Sequence, residues 1–247
     1  MSRVIWQKLL VPDESVKAST LMDDSYKEQV ENVCLHPWAN ADIVCPDRKA
    51  FRSMSRASLF LSHVCMHAKE ALAPYLSSSP FSVGIYCAVE NGPIDAASTV
   101  QIIASKNTLP FYEAYRKFRN PKLYLKQLPN LAPAQMGISM GLQGAMNVYT
   151  HSTAGSLHAL EQAEWDLHDN RVQAALVCTA HAFDDFLVVK RTRHFDPRQL
   201  VEGAGALLLV RDETKPKNWT SLIKRDPVQY FGISDPIIQL LKEEQHV

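Results

Sequence analysis

The sequence has no surplus of charge of either sign. It contains 26 basic and 26 acidic residues and no block of five or six like charges. Runs of lysine and arginine are what bind a phosphate backbone or an anionic membrane surface, because each cation releases a counterion. We therefore expect neither nucleic acid nor a membrane among the partners of this protein.

The sequence also lacks a long hydrophobic run. No window approaches the ~20 apolar residues that span a bilayer, and the first eight residues show no basic stretch followed by an apolar core. With 247 residues, 46% of them hydrophobic, the chain is still long enough to bury a sizeable core. We expect a globular, cytoplasmic protein.

Cysteine is scarce, and its spacing follows no known framework. The cysteines are odd in number, form no Cys-x-x-Cys pair and lie mostly in apolar runs. This pattern indicates buried, reduced thiols rather than disulfides or a metal site. They are Cys34, Cys45, Cys65, Cys87 and Cys178.

The histidines supply no evident set of metal ligands. His63 and His67 have the i, i+4 spacing of zinc sites, but Val64 stands where the His-Glu-x-x-His motif has its glutamate. His158 and His168 have no acidic or cysteine ligands nearby. We predict no metal and no cofactor.

Along most of the chain, stretches with the apolar spacing of a helix alternate with stretches that have the apolar pattern of a strand. From residue 53 apolar side chains recur every three or four positions, which predicts a helix that Pro74 ends. Shorter continuous apolar runs predict strands covered on both faces. Further strands are predicted at 2–9, 81–89, 146–150, 172–182 and 204–210, and further helices at 95–105, from Pro133 and at 153–168. This alternation argues for an α/β fold with a largely parallel or mixed sheet.

Three stretches give weaker patterns. Residues 11–48 carry prolines among mixed charges, so we predict irregular structure with one short helix at 25–31. The polar stretch 190–202 is predicted to be a connection. We divide the chain into a domain of residues 1–210 and a tail of residues 211–247 that packs on it, with a final amphipathic helix near 237–244.

Aromatic and basic residues interleave between Pro110 and Gln127. Such interleaving occurs in platforms for single-stranded nucleic acid. Because the chain is neutral overall, we favour aromatic side chains packed in the core or in a partner interface, with solvated basic neighbours. The aromatic residues are Phe111, Tyr112, Tyr115, Phe118 and Tyr124.

The stretch most indicative of function leads from an apolar strand through small and hydroxyl residues into a helix. It is Asn147-Val-Tyr-Thr-His-Ser-Thr-Ala-Gly-Ser-Leu-His-Ala, and the motifs Asn130-Leu-Ala-Pro-Ala-Gln-Met-Gly, Ala174-Ala-Leu-Val-Cys-Thr-Ala-His and Glu202-Gly-Ala-Gly flank it in order. Together these segments resemble the amino-terminal half of a beta-ketoacyl synthase, an enzyme that condenses acyl chains. The resemblance covers residues 53–210 and implies a thiolase-like, layered α/β fold with a mixed, mostly parallel sheet.

The resemblance stops at the nucleophile. The family places its catalytic cysteine in a pattern like Thr-Ala-Cys-Ala-Ser-Gly-Leu-His-Ala, and alignment on Leu157-His158-Ala159 puts Thr153 at the cysteine. The two histidines and the lysine of the family's second half have no counterparts after Val210. Condensation needs a thiolate and donors that stabilise an enolate, so we predict no catalytic residue here.

Family members that lack the cysteine are called chain length factors. They pair with an active ketosynthase and shape the tunnel in which the chain grows. The resemblance thus implies a non-catalytic heterodimer partner of a beta-ketoacyl synthase, which meets acyl carrier protein through the complex. Short relatives of this kind occur in bacterial aryl polyene pathways, so polyketide or aryl polyene synthesis is the expected context. The acyl substrate and the partner's identity stay open.

Two other functions also stay open. A stand-alone acyl-transferring or acyl-hydrolysing enzyme would use Ser152 or Thr153, although no Gly-x-Ser-x-Gly elbow surrounds them. Ser152 equally suits the N-cap of the helix that follows. The other function is a non-catalytic acyl-carrier scaffold.

The family arrangement also implies an interface. There the strand before the nucleophile pairs with its counterpart across a two-fold axis, which assigns the partner interface to Ala145, Met146, Asn147, Val148 and Tyr149. Candidates for the gate that limits chain length are Phe111, Tyr112, Tyr115 and Phe118, with packing in a core or interface as the alternative.

The resemblance carries one more expectation, about the tail. In the family the nucleophile helix lies between two sheets, so a chain with only the first half would expose an apolar layer there. We expect residues 219–241 to cover part of that face. The residues expected to contribute most are Trp219, Ile237, Ile238 and Leu241.

Overall fold

The structure is a computed structural model that describes most of the chain. The described residues are 2–12, 16–17, 33–35, 43–44, 49, 52–93, 95–151, 153–183, 186–212, 219, 223 and 225–244. The predicted helix at 25–31, Cys45 and Ser152 lie outside them, and so do the side chains of Cys34 and Lys122.

The described elements alternate as the periodicity predicts. The strands are β1 (Ser2–Leu10), β2 (Val16–Lys17), β3 (Val33–Leu35), β4 (Val83–Val89), β5 (Met146–Tyr149), β6 (Ala174–His181), β7 (Gln199–Val201), β8 (Gly203–Arg211) and β9 (Gln229–Tyr230). The helices are α1 (Arg56–Met66), α2 (Lys69–Leu76), α3 (Ala96–Ala104), α4 (Phe111–Phe118), α5 (Pro121–Gln127), α6 (Leu131–Met140), α7 (Gly155–His168), α8 (Phe186–Phe195) and α9 (Asp235–Glu244), with a 3₁₀ turn at Gly232–Ser234.

A five-stranded sheet in the order β1-β8-β6-β4-β5 forms the centre of the molecule. β5 and β6 both run parallel to β4, whereas β8 runs antiparallel to both β6 and β1. Four of the five strands therefore point the same way, and the sheet is mixed but mostly parallel. β4 and β6 are buried along their whole length, which explains their continuous apolar sequences.

Helices cover both faces of this sheet. On one face, helices α1, α2 and α6 pack on alternate residues of β4, β6 and β8. The helix residues in this contact include Phe60, Val64 and Met136. On the other face lie α7, α9 and the side chain of Trp219. The result is a layered α/β arrangement around one sheet.

The thiols of the described residues behave as predicted. Cys65, Cys87 and Cys178 are free and fully buried. Burial raises the pKa of Cys65 and of Cys87 well above the ordinary range of a thiol. No group of metal ligands occurs within the described part of the chain.

A smaller sheet in the order β2-β3-β7-β9 lies beside the first one. β7 comes from the stretch 190–202 that the sequence analysis assigned to a connection, and most of α8 also falls there. The prediction was wrong because β7 is only three residues long and the second half of α8 is rich in basic residues, so neither shows a clear apolar period. Leu200 and Val189 nevertheless form part of a buried cluster.

A second correction concerns the helix predicted to end at Pro74. The helix breaks earlier, between α1 and α2, where the Ala68 amide donates to the Cys65 carbonyl at 2.9 Å. Pro74 then lies inside α2. Proline lacks the amide that would donate to the Glu70 carbonyl. Because Glu70 is exposed, water can bond to that carbonyl instead, so Pro74 is tolerated.

Two buried carboxylates hold the layers together. Glu202, with no exposed surface, accepts from Arg56 Nε at 2.9 Å and from the Phe183 amide at 2.9 Å. Asp166 of α7 accepts from the Tyr86 hydroxyl of β4 at 2.7 Å. Burial and this carboxylate raise the pKa of Tyr86 well above its ordinary value. Breaking such a buried pair by removing one partner is strongly destabilising.

The outer side of α7 is not the apolar layer that the sequence analysis expected. His158, Glu161 and His168 are exposed there, and Trp165, 64% exposed, is the large apolar exception. The apolar residues of α7, including Leu160 and Leu167, face the sheet and α9. The helix is therefore amphipathic, with a single buried side.

None of the described helices is long and apolar enough to cross a membrane.

Candidate functional site

The junction between β5 and α7 places Thr153 at the surface. α7 begins at Gly155, two residues later than predicted, and the Gly155 amide donates to the His151 carbonyl at 2.9 Å. A Cβ on Gly155 would lie 2.7 Å from Ile233, so a larger residue would force that side chain to move. Thr153 is exposed, and its hydroxyl lies 3.4 Å from His151 Nδ1.

Thr153 lacks, among the described residues, the arrangement that activates a nucleophile. A catalytic hydroxyl needs a base within about 3.2 Å and a third group that orients the base. The distance to His151 is longer, and both residues are exposed. Among the described residues His151 contacts the ring of His158, at 6.1 Å between centroids, and no carboxylate orients it. The Ser152 hypothesis lies outside the described residues.

A pocket of about 320 Å³ adjoins Thr153. Leu157 of α7 and Pro236 of α9 line its apolar part, and charged residues line the rest. These polar and charged residues are Asp196, Arg198, Arg225, Tyr230 and Asp235. Its two arginines and two aspartates cancel, so the pocket has no net charge that would attract an ionic ligand.

Arg198 organises this pocket and links the start of β7 to the residues around β9. Its Nη2 donates to Asp196 Oδ2 at 2.7 Å, and its Nη1 donates to the carbonyls of Asp226 and Gln229. Its guanidinium lies 4.8 Å from the centre of the Tyr230 ring. Arg198 was not singled out in the sequence because its role depends on residues ~30 positions away that pairing with β9 brings close.

The pKa values in the pocket follow from these contacts. The bond from Arg198 lowers the pKa of Asp196. Burial raises the pKa of Asp235, although it accepts from the Phe231 amide. Burial also raises the pKa of Tyr230 to about 12, so this phenol stays protonated at neutral pH. The shifts of Asp196 and Tyr230 therefore move both pKa values away from the neutral range that suits a general base.

The predicted interface residues form one edge of the large sheet. β5 pairs with β4 on one side, with Met146 opposite Ile85 and Val148 opposite Cys87. Ala145 directs its carbonyl to the Ile85 amide at 2.7 Å. Because backbone groups alternate along a strand, the amides of Asn147 and Tyr149 also face β4, and those of Met146 and Val148 face away.

An apolar groove of about 530 Å³ runs beside this edge. It is lined by β5 and α6, and Ile138 and Met146 are 76% and 45% exposed in it. Gly137 and Leu142 form its floor. Exposed apolar surface of this kind on a soluble protein marks an interaction site.

The gate candidates lie on α4, which is amphipathic and mostly exposed. Phe111, Tyr112 and Tyr115 are 74%, 70% and 44% exposed, so these three do not fill the core of this subunit. Phe111 and Tyr115 stack at 6.1 Å, and the Arg119 guanidinium lies 5.6 Å from the Tyr115 ring. Phe118 is partly buried.

The comparisons with known proteins come from solved structures, since neither a protein-family model nor a curated protein matches the chain. A type II polyketide synthase complex, AntDE:AntF, of an acyl carrier protein and its ketosynthase gives a TM-score of 0.63 at 14% identity. The match covers 86% of this chain and 62% of that one.

Two further structures share the fold. The ishigamide ketosynthase/chain length factor gives a TM-score of 0.53 at 18% identity, over 75% of this chain and 51% of that one. A beta-ketoacyl synthase from Burkholderia phymatum STM815 gives 0.51 at 18% identity, over 73% of this chain and 48% of that one.

These matches define the class of fold. The chain has the thiolase-like α/β fold of the ketosynthases, as the sequence motifs predict. More particularly, a ketosynthase/chain length factor is among the structures whose fold it shares. The chain spans 48% to 62% of the length of the three matched chains.

Proposed function

We propose that this protein is a non-catalytic partner of a cysteine-bearing beta-ketoacyl synthase, of the chain length factor type, in polyketide or aryl polyene synthesis. The observation that carries the proposal is the edge strand β5, whose outer side pairs with no strand among the described residues and which leads directly to a nucleophile position occupied by Thr153. We propose a heterodimer that meets acyl carrier protein through the complex. We also propose a cytoplasmic location, which fits the free thiols of Cys65, Cys87 and Cys178.

The two edges of the large sheet differ in how they are protected against pairing. Edge strand β1 carries the cations Arg3 and Lys8 and an irregularity between Val4 and Trp6. Charges and bulges of this kind prevent strands from adding to an edge. β5, Met-Asn-Val-Tyr, has no charge, no proline and no bulge. This contrast supports β5 as the edge that takes a partner strand.

The surroundings of β5 support the same assignment. A partner strand on the outward amides of Met146 and Val148 would bring its subunit over the groove that exposes Ile138. Burial of apolar surface stabilises by roughly 25 cal/mol per Å². Main-chain bonds and the adjoining apolar groove would thus act together, as they do in other complexes formed by strand addition.

In this complex the aromatic residues of α4 would be the gate that limits chain length. Because Phe111, Tyr112 and Tyr115 are exposed here, they can gate a tunnel only where the ketosynthase subunit meets α4. The alternative within the same complex is that they are ordinary interface contacts, as exposed tyrosines often are. The competing stand-alone enzyme gains no support, because the hydroxyl of Thr153 lacks a well-placed base.

Product length distinguishes a gate from an ordinary contact. We expect Phe111→Ala or Tyr115→Ala, co-expressed with the cysteine-bearing ketosynthase of the same gene cluster, to yield a longer product from an intact complex. Tyr124→Ala is the control, because Tyr124 is 64% exposed on the neighbouring helix α5. Products would be measured by mass spectrometry. If both α4 variants formed an intact complex and gave a product of unchanged length, these aromatic residues would not be the gate.

A further inference from the structure

A separate cavity of about 410 Å³ lies at the carboxyl end of β4. Asn91 and Gly92, which follow β4, form one wall, and the segment 127–129 with α8 forms the others. It shares no lining residue with the pocket at Thr153. In parallel sheets, ligands bind in crevices outside the carboxyl ends of the strands.

The wall at Gly92 is fixed by close backbone packing. The Gly92 amide faces the Gln127 carbonyl at 3.4 Å, and a Cβ on Gly92 would lie 1.8 Å from the Lys126 carbonyl oxygen. Only glycine allows the two segments to approach in this way. The cavity is therefore a built feature between β4 and α5 rather than a loose gap at the surface.

The polar side of the cavity is a guanidinium held by a buried carboxylate. Arg191 Nη2 donates to Glu90 Oε2, and Glu90 is 7% exposed. Within the described part of the chain, Nε and Nη1 of Arg191 make no hydrogen bond, and Arg191 itself lines the cavity. His181 Nδ1 lies 3.9 Å from Glu90 Oε1, and burial lowers the pKa of His181 to about 3, so it adds no charge. The cluster is neutral overall.

The other residues that line the cavity indicate which class of ligand it would bind. The side-chain amides of Asn91 and Gln127 make no hydrogen bond among the described residues, and Leu128, Pro129 and Leu187 supply apolar surface. A carboxylate ligand would meet the charge of Glu90 close by, whereas a neutral carbonyl accepts from Arg191 without that repulsion. We propose that this cavity binds a neutral amphiphile with a carbonyl group, such as an amide, beside a short apolar chain.

The test is a titration followed by protein NMR. The probes are N-butylacetamide and hexanoate, which have the same number of non-hydrogen atoms but differ in charge. For the wild type we expect saturable shifts of the Gly92, Leu128 and Val188 amides with N-butylacetamide, and weaker binding of hexanoate. Leu187→Trp, which fills the cavity without touching its polar groups, should abolish the shifts. Lys190→Met, on the same helix but outside the lining, should leave them unchanged.

The role of the guanidinium is tested separately. Arg191→Met alone leaves Glu90 buried and unpaired, which is strongly destabilising, so the double variant Glu90→Gln/Arg191→Met is used to remove both charges together. We expect it to fold and to bind N-butylacetamide at least about tenfold more weakly, as the loss of a charged hydrogen bond implies. Absence of saturable shifts in the wild type, equal binding by Leu187→Trp or by the double variant, or tighter binding of hexanoate would each overturn the proposal.

Discussion

At the scale of single residues, the chemistry of Thr153 decides whether this protein can act as a ketosynthase. A threonine hydroxyl ionises far above neutral pH, and only a close, oriented base makes it a nucleophile. His151 is 3.4 Å away and exposed. The sequence motif alone locates this position, because the strand, the small residues and the helix are contiguous. Its exposure and the distance to His151 could be learned only from the structure.

We therefore predict that the protein does not become acylated. After incubation with an acyl-loaded carrier protein or an acyl thioester, its intact mass should be unchanged, and Thr153→Ala should behave like the wild type. A cysteine-bearing ketosynthase treated in the same way is the positive control. An acyl adduct mapped to Thr153 or Ser152 would contradict a non-catalytic role.

The ion pair between Asp196 and Arg198 gives a prediction about pH. Since the bond to Arg198 lowers the pKa of Asp196 in the folded state, its ionised form stabilises the fold above the ordinary aspartate pKa of about 3.9. This contribution is lost as pH falls through the lowered value. Asp196→Asn should therefore reduce the free energy of unfolding by about 1.5–3 kcal/mol at pH 7, the usual contribution of a hydrogen bond to a charged group.

Urea unfolding of the wild type and of Asp196→Asn, at pH 7 and at acidic pH, measures the contribution of the Asp196 carboxylate to the free energy of unfolding. The difference between wild type and Asp196→Asn should shrink as the wild-type carboxylate becomes protonated. A difference that stays constant down to acidic pH would mean that Asp196 contributes by packing and not by charge.

At the scale of elements, the residues after 210 that the sequence predicted to cover α7 are buried as expected. Ile237, Ile238 and Leu241 of α9 are almost fully buried, and Trp219 is 6% exposed. They cover β8 and the inner side of α7, where Gly203 and Gly205 let Ile238 and Leu241 approach the strand. A boundary between domain and tail at residue 210 stays a prediction.

Substitution in α9 measures how much this packing contributes. Leu241→Ala should lower the free energy of unfolding by about 2–5 kcal/mol, as is usual for a buried leucine. Val228→Ala is the control, because Val228 is 61% exposed and should change stability by less than about 0.5 kcal/mol. Thermal or urea unfolding provides the measurement. If the two variants melted alike, α9 would not be part of the cooperative fold.

The elements that the sequence predicted well are those with long, strong patterns. β4, β6 and β8 are mostly apolar, and α3 begins one residue after the predicted start, with Asp95 as its N-cap that accepts from the Ser98 amide. The small sheet escaped prediction because β2, β3, β7 and β9 are two or three residues long. Such strands carry too few side chains for a period to appear.

At the scale of the whole molecule, the features proposed to meet a partner are an edge strand, a groove and an exposed helix. The side with the β5 edge also carries the groove at Ile138, and α4 exposes its aromatic residues. The strand itself could be predicted from sequence, because its motif is contiguous. That it forms the open edge, with the amides of Met146 and Val148 directed outward, depends on strand order and register, which no local pattern encodes.

Val148→Pro separates pairing with a partner from pairing within the subunit. The substitution removes a donor that faces away from β4, so the fold should persist while the partner strand loses a hydrogen bond and meets the proline ring. Val148→Ala is the control, since it keeps the backbone donor. Circular dichroism and thermal melting establish that both variants are folded.

The most direct measurement is the mass in solution of this chain, 27.7 kDa alone, purified with a cysteine-bearing ketosynthase from the same gene cluster. The account predicts one stable complex, by size-exclusion chromatography with light scattering, whose mass is the sum of one copy of each chain. Val148→Ala should keep this complex, and folded Val148→Pro should lose it. Two separate peaks for the wild type, or an intact complex with Val148→Pro, would contradict the account.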